Sequence, residues 1–543
     1  MFSEPIVGKN FFGREDVLGL LSKRVKAMGE GYRQNVAITG QSLAGKSSLL
    51  QHFLYTELDD SFLPVYVEVL REDFPSFANK FIATLLYNSL KTKDEAVSES
   101  LGELLAKADA LLPRTAQAMR AVLSGIEKDE LDEAYTNLLA LTSVIHEECR
   151  KPCVVILDEF DNIVHFKVKN PFLGFGKMIM VQKDTMYIIS SSRNSAIKKI
   201  LQEKLSLLFG NFEVVEVKGF DTKASSEFIG RKTAPLIMDE EARRFLIYFT
   251  DGNPYYIEQV CREAKEIARE RSKGSVDADS VEDAIVKLVY GANGSIHQYL
   301  TNFLWDLIDT KSRDDMLLIL SSIANGHKKI RDIAKDTRKG CGEVSRALSW
   351  LTGCGLLTKS GVFTIISDRV LEFWLSHVYG KRQRMLVNYI VNRARAYKDD
   401  IRSTTADFTR ESRKSPAQRV FELFHLFSNE LVDIDDRQFL LPQCSTVEIK
   451  SFDDVTPYLI GTSKERRWVC QIFEVPVQET HIAQYIRNVN SLDGKVARRI
   501  LVPLAGIEEN AKLLAKELKI SIWSPDIINM LFRLYDRSGL VII

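Results

Sequence analysis

Residues 35–49 read Asn-Val-Ala-Ile-Thr-Gly-Gln-Ser-Leu-Ala-Gly-Lys-Ser-Ser-Leu, and the fold follows from this stretch. Its apolar start, Val36 to Ile38, predicts a buried strand. The loop that follows begins at Gly40 and ends at Gly45, with four residues between them. Residues 48–54, Ser-Leu-Leu-Gln-His-Phe-Leu, are apolar at helical spacing. The stretch therefore predicts a strand, a tight loop and a helix in succession.

The glycine spacing, with Lys46 and Ser47 directly after the second glycine, is that of a P-loop. Glycines let backbone N–H groups curl around phosphate oxygens, and the start of the helix adds a positive dipole end. A lysine here reaches the β- and γ-phosphates, and a hydroxyl here binds Mg²⁺. We therefore expect ATP and Mg²⁺ as ligands, rather than a glycine-rich turn that binds nothing. The residues expected around the phosphates are Gly40, Gln41, Ser42, Leu43, Ala44, Gly45, Lys46, Ser47 and Ser48.

A second motif lies at residues 154–161, Val-Val-Ile-Leu-Asp-Glu-Phe-Asp. Its apolar half predicts a buried strand, and Asp158 and Glu159 follow at the end of that strand. In this Walker B pattern the aspartate reaches the Mg²⁺ shell, and the glutamate orients the attacking water. The alternative is a buried strand that ends at an acidic turn, and the P-loop upstream disfavours it. Ser47 and Asp158 are thus the candidate metal ligands, and Lys46 and Glu159 are candidate catalytic residues.

Three more apolar runs, at residues 63–69, 187–192 and 212–217, predict further strands. Strands that alternate with helices indicate a parallel sheet covered on both faces. Residues 95–149 are rich in alanine and leucine and predict a helical insertion, with Pro113 as a break and an apolar stripe that faces the core. The predicted fold class is α/β, with a P-loop parallel sheet at its centre.

Residues 10–15, Asn-Phe-Phe-Gly-Arg-Glu, precede the P-loop strand and resemble the opening segment of STAND and archaeal-type P-loop ATPases and of origin-recognition ATPases. The resemblance implies a fold of the AAA+-related class with strand order 5-1-4-3-2. It also places Phe12, Gly13 and Arg14 along the adenine and ribose. A turn with an exposed arginine is the alternative for this segment.

Two later segments follow in the order of that family. Residues 190–193, Ser-Ser-Ser-Arg, end a predicted strand, and the resemblance makes Arg193 a catalytic sensor of the γ-phosphate, with one of the preceding serines near the attacking water. Residues 252–254, Gly-Asn-Pro, resemble the Gly-x-Pro segment of the helical lid, in which Pro254 packs on adenine. The alternatives are a solvated arginine at a loop start and an ordinary helix start with proline at its first position.

Residues 313–380 predict a winged helix, in which three helices precede a hairpin at residues 355–366. The helices are expected at residues 316–323, 330–336 and 343–351. In a DNA-reading winged helix the third helix enters the major groove. The basic and polar side chains on this helix and the preceding turn are Arg338, Lys339, Arg346 and Ser349. A winged helix that serves as a structural arm is the alternative.

Residues 381–419 carry eleven lysines and arginines against four acidic residues. Within this stretch residues 381–417 are expected to form a basic linker, and residues 403–415, which are polar, predict a partly mobile segment. Contact with nucleic-acid phosphates is one interpretation. A helix that faces an acidic protein surface is the other.

Residues 418–543 resemble the restriction-endonuclease-like domain found behind many archaeal-type ATPases. Strands are expected at residues 456–460, 468–473 and 499–502, and helices at residues 481–489 and 508–518. An active enzyme of this fold needs an aspartate on the first strand and Glu-x-Lys on the second, which bind Mg²⁺ and activate water. At those positions the chain has Thr456, Pro457, Gln471 and Phe473. Glu448-Ile449-Lys450 spells the motif ahead of the expected strand, so we expect a degenerate nuclease fold used for binding.

The chain has 543 residues, a formal net charge of +0 and 27% charged residues. Zero net charge excludes a global attraction to nucleic acid and leaves local surfaces. The 7 cysteines contain no C-x-x-C pair, which indicates buried thiols in a reducing cytosol rather than disulfides or a zinc site. No stretch approaches the ~18 apolar residues of a membrane span, so we expect a soluble cytoplasmic protein without a membrane partner.

Three hypotheses follow for function. The first is a switch that binds and hydrolyses ATP and acts on double-stranded DNA or a nucleoprotein complex through the winged helix and C-terminal domain. The second is a signalling or scaffold ATPase that binds protein partners or further copies of itself. The third is an ATP-regulated nuclease that uses Glu448 and Lys450. The expected domains are residues 1–220 (ATPase core), 221–312 (helical lid), 313–380 (winged helix), 381–417 (basic linker) and 418–543 (nuclease-like domain).

Overall fold

The computed structural model describes residues 4–91, 100–205, 210–308, 312–380, 393–434, 437–451, 457–464 and 466–542. The chain divides into two compact units. The first comprises residues 1–219 and 353–355, and the second comprises residues 220–352 and 356–543. No helix in the described part of the chain is long and apolar enough to cross a membrane.

Five parallel strands form the centre of the first unit. They are β1 (Asn35–Thr39), β2 (Leu63–Glu68), β3 (Cys153–Asp158), β4 (Thr185–Ser191) and β5 (Phe212–Glu216). They lie in the order β2-β3-β4-β1-β5, and each neighbouring pair is parallel. The predicted order 5-1-4-3-2 is therefore confirmed. Because β1 and β3 both flank β4, the carboxyl ends of these three strands meet at one edge of the sheet.

Helices cover both faces of this sheet. They are α1 (Glu15–Gly29), α2 (Lys46–His52), α3 (Phe74–Leu90), α4 (Leu101–Leu111), α5 (Pro113–Glu127), α6 (Leu131–Cys149), α7 (Pro171–Val181) and α8 (Asn194–Lys199). Shorter helical turns lie at Gly8–Asn10, Phe53–Glu57, Phe160–His165 and Ile200–Lys204. Pro113 begins α5, where the missing N–H of proline costs no hydrogen bond. The predicted break at this residue is confirmed.

Alternate residues of the strands feed two separate cores, since successive side chains of a strand point to opposite faces. Val36 and Ile156 pack with residues of α1 and α2 on one face. Ala37 and Val155 pack with residues of α3 to α7 on the other face. The insertion helices α4 to α6 contribute their apolar side to this second core, as predicted, while residues 92–99 lie outside the described residues. The insertion therefore thickens one face of the sheet.

The second unit begins with helices and short strands. They are α9 (Thr222–Thr233), β6 (Ile237–Met238), α10 (Glu240–Thr250), α11 (Pro254–Glu270), β7 (Ser275–Val276), α12 (Ala278–Ile285), α13 (Ser295–Leu307), α14 (Arg313–Ala324), α15 (Ile330–Thr337), α16 (Cys341–Gly353), β8 (Leu357–Ser360), β9 (Phe363–Ile366) and α17 (Arg369–Trp374). Helical turns at Val286–Tyr290 and Leu375–Tyr379 extend α12 and α17. The three helices and the antiparallel hairpin expected at residues 313–366 are present.

The basic stretch is helical where it is described. Helix α18 spans Arg393–Ser412, and residues 381–392 lie outside the described residues. Its apolar residues Tyr397, Ile401 and Phe408 are buried at helical spacing, and Tyr397 stacks on Tyr290 with ring centroids 4.2 Å apart. Residues 403–412, expected within a partly mobile linker, are helical, and Phe408 within them is buried.

The remainder of the second unit contains a mixed sheet. Its elements are α19 (Pro416–Leu426), β10 (Glu430–Ile434), β11 (Arg437–Leu441), β12 (Thr446–Ser451), β13 (Pro457–Ser463), β14 (Arg466–Phe473), α20 (Glu479–Asn490), β15 (Lys495–Pro503), α21 (Glu509–Glu517), β16 (Ser521–Ile522) and α22 (Pro525–Leu534). The sheet order is β12-β13-β14-β15-β16, antiparallel as far as β14 and parallel beyond it. One of its cores lies with α19 and α22, and the other lies with α20 and α21.

The expected strands of this domain are β13, β14 and β15, and β12 is an additional strand that precedes them. Residues 448–450 lie on β12, where the side chains of Glu448 and Lys450 are about half exposed and pair with each other at 3.5 Å. Gln471 and Phe473 lie buried on β14, and Pro457 begins β13. Thr456 lies outside the described residues.

Candidate functional site

The loop between β1 and α2 closes around its own lysine. Gly40 has φ 155°, and a Cβ atom there would lie 2.2 Å from the carbonyl oxygen of Val217, so glycine is required. Lys46 Nζ donates to the carbonyl oxygens of Gly40 (3.0 Å) and Gln41 (2.9 Å) and to Ser192 Oγ (2.9 Å). Burial lowers the pKa of Lys46, while the charge of Glu159 opposes this shift. The ammonium group is therefore preorganised inside the loop.

A hydroxyl and a carboxylate meet at the start of α2. Ser47 Oγ donates to Asp158 Oδ2 at 2.6 Å, and Tyr66 from β2 donates its hydroxyl to the same oxygen at 2.7 Å. The other oxygen of Asp158 accepts from Ser190 Oγ and from the backbone N–H of Glu159, the latter at 3.1 Å. Asp158 is 1% exposed. Four donors thus hold a buried carboxylate in one orientation beside the P-loop.

Glu159 is linked to Lys46 by Ser192, which forms hydrogen bonds with both residues. Ser192 donates its hydroxyl and its backbone N–H to the Glu159 carboxylate, and the N–H bond is 3.2 Å long. The same hydroxyl accepts from Lys46. Burial raises the pKa of Glu159, and the charge of Lys46 opposes this rise. Lys46, Ser192 and Glu159 therefore form one continuous hydrogen-bonded chain.

Arg193 is paired rather than solvated. Its guanidinium forms an ion pair with the buried carboxylate of Asp161 and donates to Asn162 Oδ1 at 3.1 Å. Ser191 Oγ donates to the other oxygen of Asp161 at 2.7 Å. The alternative of a solvated arginine at a loop start is therefore wrong, because β4 ends where the turn after β3 presents an acidic group.

The segment before α1 lies against the P-loop. Arg14 Nη2 donates to the carbonyl oxygens of Ala44 (3.2 Å) and Lys218 (2.5 Å), and Arg14 has a left-handed backbone conformation, φ 71°. Phe11 stacks on His52 of α2 with ring centroids 4.1 Å apart. Phe12 and Gly13 lie between these two contacts and are half-buried. The alternative of an exposed arginine is wrong here as well.

Comparison with protein families agrees with this arrangement. Residues 11–260 match the family model of an ATPase domain found predominantly in Archaea. This region is similar to an archaeal-type ATPase domain. The match extends from the segment before α1, through both predicted phosphate-site motifs, into α11. The matched region thus includes all of β1 to β5 and the elements that carry the network around Lys46.

Solved structures with related folds come from several ATPases. A Walker-type ATPase of Pyrococcus abyssi shares 18% identity over 68% of this chain and 97% of its own, with a TM-score of 0.48. The ORC2 protein of Aeropyrum pernix in ADPNP–ADP complexes shares 12% identity over 70% of this chain and 98% of its own, with a TM-score of 0.43. The Thermotoga maritima RuvB Holliday junction branch migration motor shares 13% identity over 69% of this chain and 98% of its own, with a TM-score of 0.34. At these values the likenesses carry no argument about function. No curated protein matches the chain in sequence.

Pro254 occupies the second unit, apart from the network described above. It is the first residue of α11, and Asn253 Oδ1 caps the helix by accepting from the N–H of Tyr255 at 3.0 Å. Gly252 has φ 69°, and a Cβ there would lie 2.1 Å from the carbonyl oxygen of Phe220. These features describe a well-formed helix start, and the adenine contact of Pro254 stays a prediction.

Several residues of the ATPase domain network escaped sequence reasoning. Tyr66 and Asn162 have no motif of their own, and Ser190 lies in the Ser-Ser-Ser-Arg segment without a predicted role. Ser190 lies on β4, which neighbours both β1 and β3, whereas Tyr66 lies on β2 beside β3 and Asn162 lies in the turn after β3. Asp161 is the last residue of the Walker B stretch, and the motif itself predicts no role for it. Its position three residues after Asp158, at the end of a buried strand, is the signal that could have identified it.

Among the described residues the cysteines form neither a disulfide nor a metal site. All seven are free; Cys153, Cys261 and Cys470 are buried, while Cys341 is exposed, so the prediction of buried thiols is wrong for Cys341. Among the described residues no group of three or more His, Cys, Asp or Glu side chains could hold a metal ion.

Proposed function

We propose that this protein is a nucleotide-driven switch that binds and hydrolyses ATP at the P-loop. The carrying observation is the connected network of Lys46, Ser192 and Glu159 beside the paired oxygens of Ser47 and Asp158. These are the groups that phosphoryl transfer to water requires: a cation for the phosphates, hard oxygen ligands and a base that orients water.

The donor set fits ATP and Mg²⁺. Ser47 Oγ and Asp158 Oδ2 lie 2.6 Å apart and are oxygen ligands, which Mg²⁺ prefers. When bound, the ion neutralises charge on the β- and γ-phosphates. Lys46 would exchange its contacts with loop carbonyls for phosphate oxygens, and Glu159 would orient the water. Arg193 would sense the γ-phosphate from its ion pair with Asp161.

Lys46→Ala tests ATP binding directly. A charge-assisted phosphate contact contributes roughly 1.5–3 kcal/mol, so ATP affinity should fall by about tenfold to a hundredfold. Titration calorimetry with ATP in Mg²⁺ buffer measures the change. Lys26→Ala, an exposed lysine on α1, is the matched control and should bind ATP like the wild type. Equal affinities for the Lys46 and Lys26 variants would contradict the proposal.

For the output of the switch we propose double-stranded DNA, contacted through α15 and α16 in a winged-helix arrangement. Arg331, Lys335 and Arg338 on and after α15 are exposed, and none has a carboxylate partner among the described residues. Arg346 on α16 is also exposed and contacts the backbone of its own helix. Uncommitted cations on adjacent helices suit phosphate contacts.

Protein partners are the competing output, and two observations favour them. The hairpin tip is occupied, because Gly361 N–H donates to Asp433 Oδ2 at 2.8 Å and Val362 N–H donates to the Leu431 carbonyl at 3.0 Å. Lys398 of α18 is also occupied, because its Nζ lies 2.5 Å from Asp283 and 3.2 Å from Asp279. A DNA contact would therefore use α15 and α16, and the C-terminal domain, which we propose to be a degenerate restriction-endonuclease-like fold, would bind protein.

Measuring DNA binding at several salt concentrations distinguishes a DNA partner from a protein partner. Fluorescence anisotropy with labelled duplex DNA should show an affinity that falls steeply with salt. Arg338→Ala combined with Arg346→Ala should weaken binding and reduce the salt slope by roughly one per lost phosphate contact. Arg402→Ala on α18, whose guanidinium already pairs with Asp279, is the control and should leave the slope unchanged. No duplex binding with ATP or ADP would remove DNA and leave the protein partner.

A further inference from the structure

A cavity of about 430 Å³ lies within the second unit. Its walls come from five parts of that unit: the end of α10, residues 324–328 after α14, α17 with the turn that follows it, α18, and the residues after α22. Cavities of this size are typical of sites for small organic molecules. The cavity belongs to none of the motifs assigned above.

Some of the charged side chains that line the cavity form ion pairs, and others do not. Four carboxylates line it: Asp536 pairs with Lys328, Glu372 with Arg533, and Asp407 with Arg410, while His377 Nδ1 lies 3.8 Å from Asp400. Two of the lining cations, Arg369 and Arg537, form no ion pair at contact distance among the described residues. The charge of Arg537 acts at longer range on Glu422, which is not part of the lining. The lining therefore presents two guanidinium groups that are not in direct contact with a carboxylate.

Arg369 is held in place for binding. Its guanidinium lies 3.8 Å from the centre of the Tyr248 ring, and its Nη1 donates to the Tyr248 carbonyl oxygen at 3.2 Å. Tyr248 is in turn stacked on Phe408 of α18, with ring centroids 4.6 Å apart. Stacking fixes the plane of the guanidinium and leaves its other N–H groups as a fork for an oxyanion. A fixed arginine loses little freedom when it binds.

Hydroxyl groups complete the lining. Ser403 of α18 and Ser538, next to Arg537, both line the cavity, and neither hydroxyl has a hydrogen-bond partner among the described residues. Arg537 itself is exposed, so it can move toward a ligand that Arg369 has already bound. Two guanidinium groups with nearby hydroxyls are the donors that phosphate and carboxylate oxygens require.

We propose that this cavity binds a small organic dianion, through a bidentate contact of Arg369 and a second contact of Arg537. The shared chemistry is a pair of negative oxygens, which a phosphate monoester or a dicarboxylate supplies equally. Since the cavity joins α10, α17, α18 and the segment after α22, a bound dianion stabilises the contacts between these elements. The site is independent of the P-loop, which lies in the other unit.

Titration calorimetry on the full chain tests the site with defined probes at constant ionic strength. Inorganic phosphate and ribose 5-phosphate represent the phosphates, and succinate and citrate represent the carboxylates. We expect at least one probe to bind in the micromolar to millimolar range. Arg369→Gln should lower its affinity by about tenfold or more, since it removes a charge-assisted contact. Arg537→Gln, at an exposed residue that leaves the fold intact, should also lower it.

Two controls make the result specific. Arg487→Gln, on α20, removes an exposed arginine of the same unit outside the cavity and should bind the probe like the wild type. Lys46→Ala disables the P-loop and should also leave probe binding unchanged. The proposal is overturned if no probe binds, if the Arg369 and Arg537 variants bind like the wild type, or if binding disappears in Lys46→Ala. The class of probe that binds with the higher affinity then shows whether the site prefers a phosphate or a carboxylate.

Discussion

At the scale of single residues, the Asp158 carboxylate is the most constrained group of the phosphate site. It accepts from Ser47, Tyr66, Ser190 and the N–H of Glu159. Burying a carboxylate costs free energy unless hydrogen-bond donors surround it, and these four donors satisfy and orient it. Tyr66 is a positioning residue in this arrangement, because its hydroxyl touches the carboxylate and it has no other assigned role.

Glu159→Gln should separate ATP binding from ATP hydrolysis. Glutamine keeps an oxygen that can accept from Ser192 but cannot act as a base, and general-base contributions are typically 10²–10⁴-fold. We expect a turnover rate lower by about a hundredfold or more, with ATP affinity close to that of the wild type. Phosphate release measures the first quantity and calorimetry the second. Wild-type turnover in this variant would exclude Glu159 from the mechanism.

Arg193→Ala should reduce discrimination between ATP and ADP. We propose that its guanidinium contacts the γ-phosphate of ATP, and ADP lacks that phosphate. The change also leaves the buried carboxylate of Asp161 without its cation, which destabilises the fold. Arg193→Lys retains the charge and loses the planar fork, so it controls for stability. An unchanged ratio of ATP to ADP affinity in both variants would disprove the sensor role.

At the scale of elements, α18 is held to α12 by charge as well as by its apolar stripe. Lys398 contacts Asp279 and Asp283, and both of those also pair with Arg271. Such a network depends on ionic strength because salt screens partly exposed charges. The side chains of Lys398 and Arg402 in the basic stretch are thus engaged by acids of α12.

Lys398→Ala should therefore destabilise the second unit in a salt-dependent way. We expect a loss of about 1 kcal/mol in the free energy of unfolding at low salt, and a smaller loss at high salt. Urea unfolding followed by tryptophan fluorescence measures both. Arg410→Ala, which removes an exposed pair within α18, should have little effect at either salt concentration. A loss that does not change with salt would mean that packing, rather than charge, holds α18.

At the scale of the whole molecule, the two units carry different chemistry. The first holds the network of phosphate-binding and acid groups. The second holds the mixed sheet β12 to β16, and Gln471 and Phe473 lie on its strand β14. Neither side chain is a base that could activate water for DNA cleavage. The network around Lys46 thus lies in the first unit, and the positions at which nuclease chemistry was tested lie in the second.

The whole protein should not cut DNA. Glu448 and Lys450 lie on β12, about half exposed and paired with each other, and no cluster of three potential metal ligands occurs among the described residues. Incubation with supercoiled and single-stranded DNA in Mg²⁺ or Mn²⁺, followed by gel electrophoresis, measures cleavage. Intact DNA is the expected outcome. Cleavage that persists in Lys46→Ala and is lost in Lys450→Ala would establish the nuclease hypothesis instead.

Local patterns in the sequence determined the phosphate-binding loop, the acidic strand end and the parallel sheet. Gly40, Lys46 and Ser47 act through spacing along one short loop, and Asp158 and Glu159 through their place after an apolar run, so neighbouring residues carry the information. The strand order came from family resemblance, and the hydrogen-bonded ladders confirmed it.

Tertiary structure alone decided which distant side chains complete the site. Tyr66 is 92 residues from Asp158 in the chain, and Ser192 is 146 residues from Lys46. They meet because β2 lies beside β3, and because β4 lies between β1 and β3. The same holds for Lys398 and Arg402 of α18, whose sequence positions do not indicate that they pair with acids on α12. A hydrogen bond or ion pair between distant segments depends on which elements are neighbours, and no local spacing encodes that.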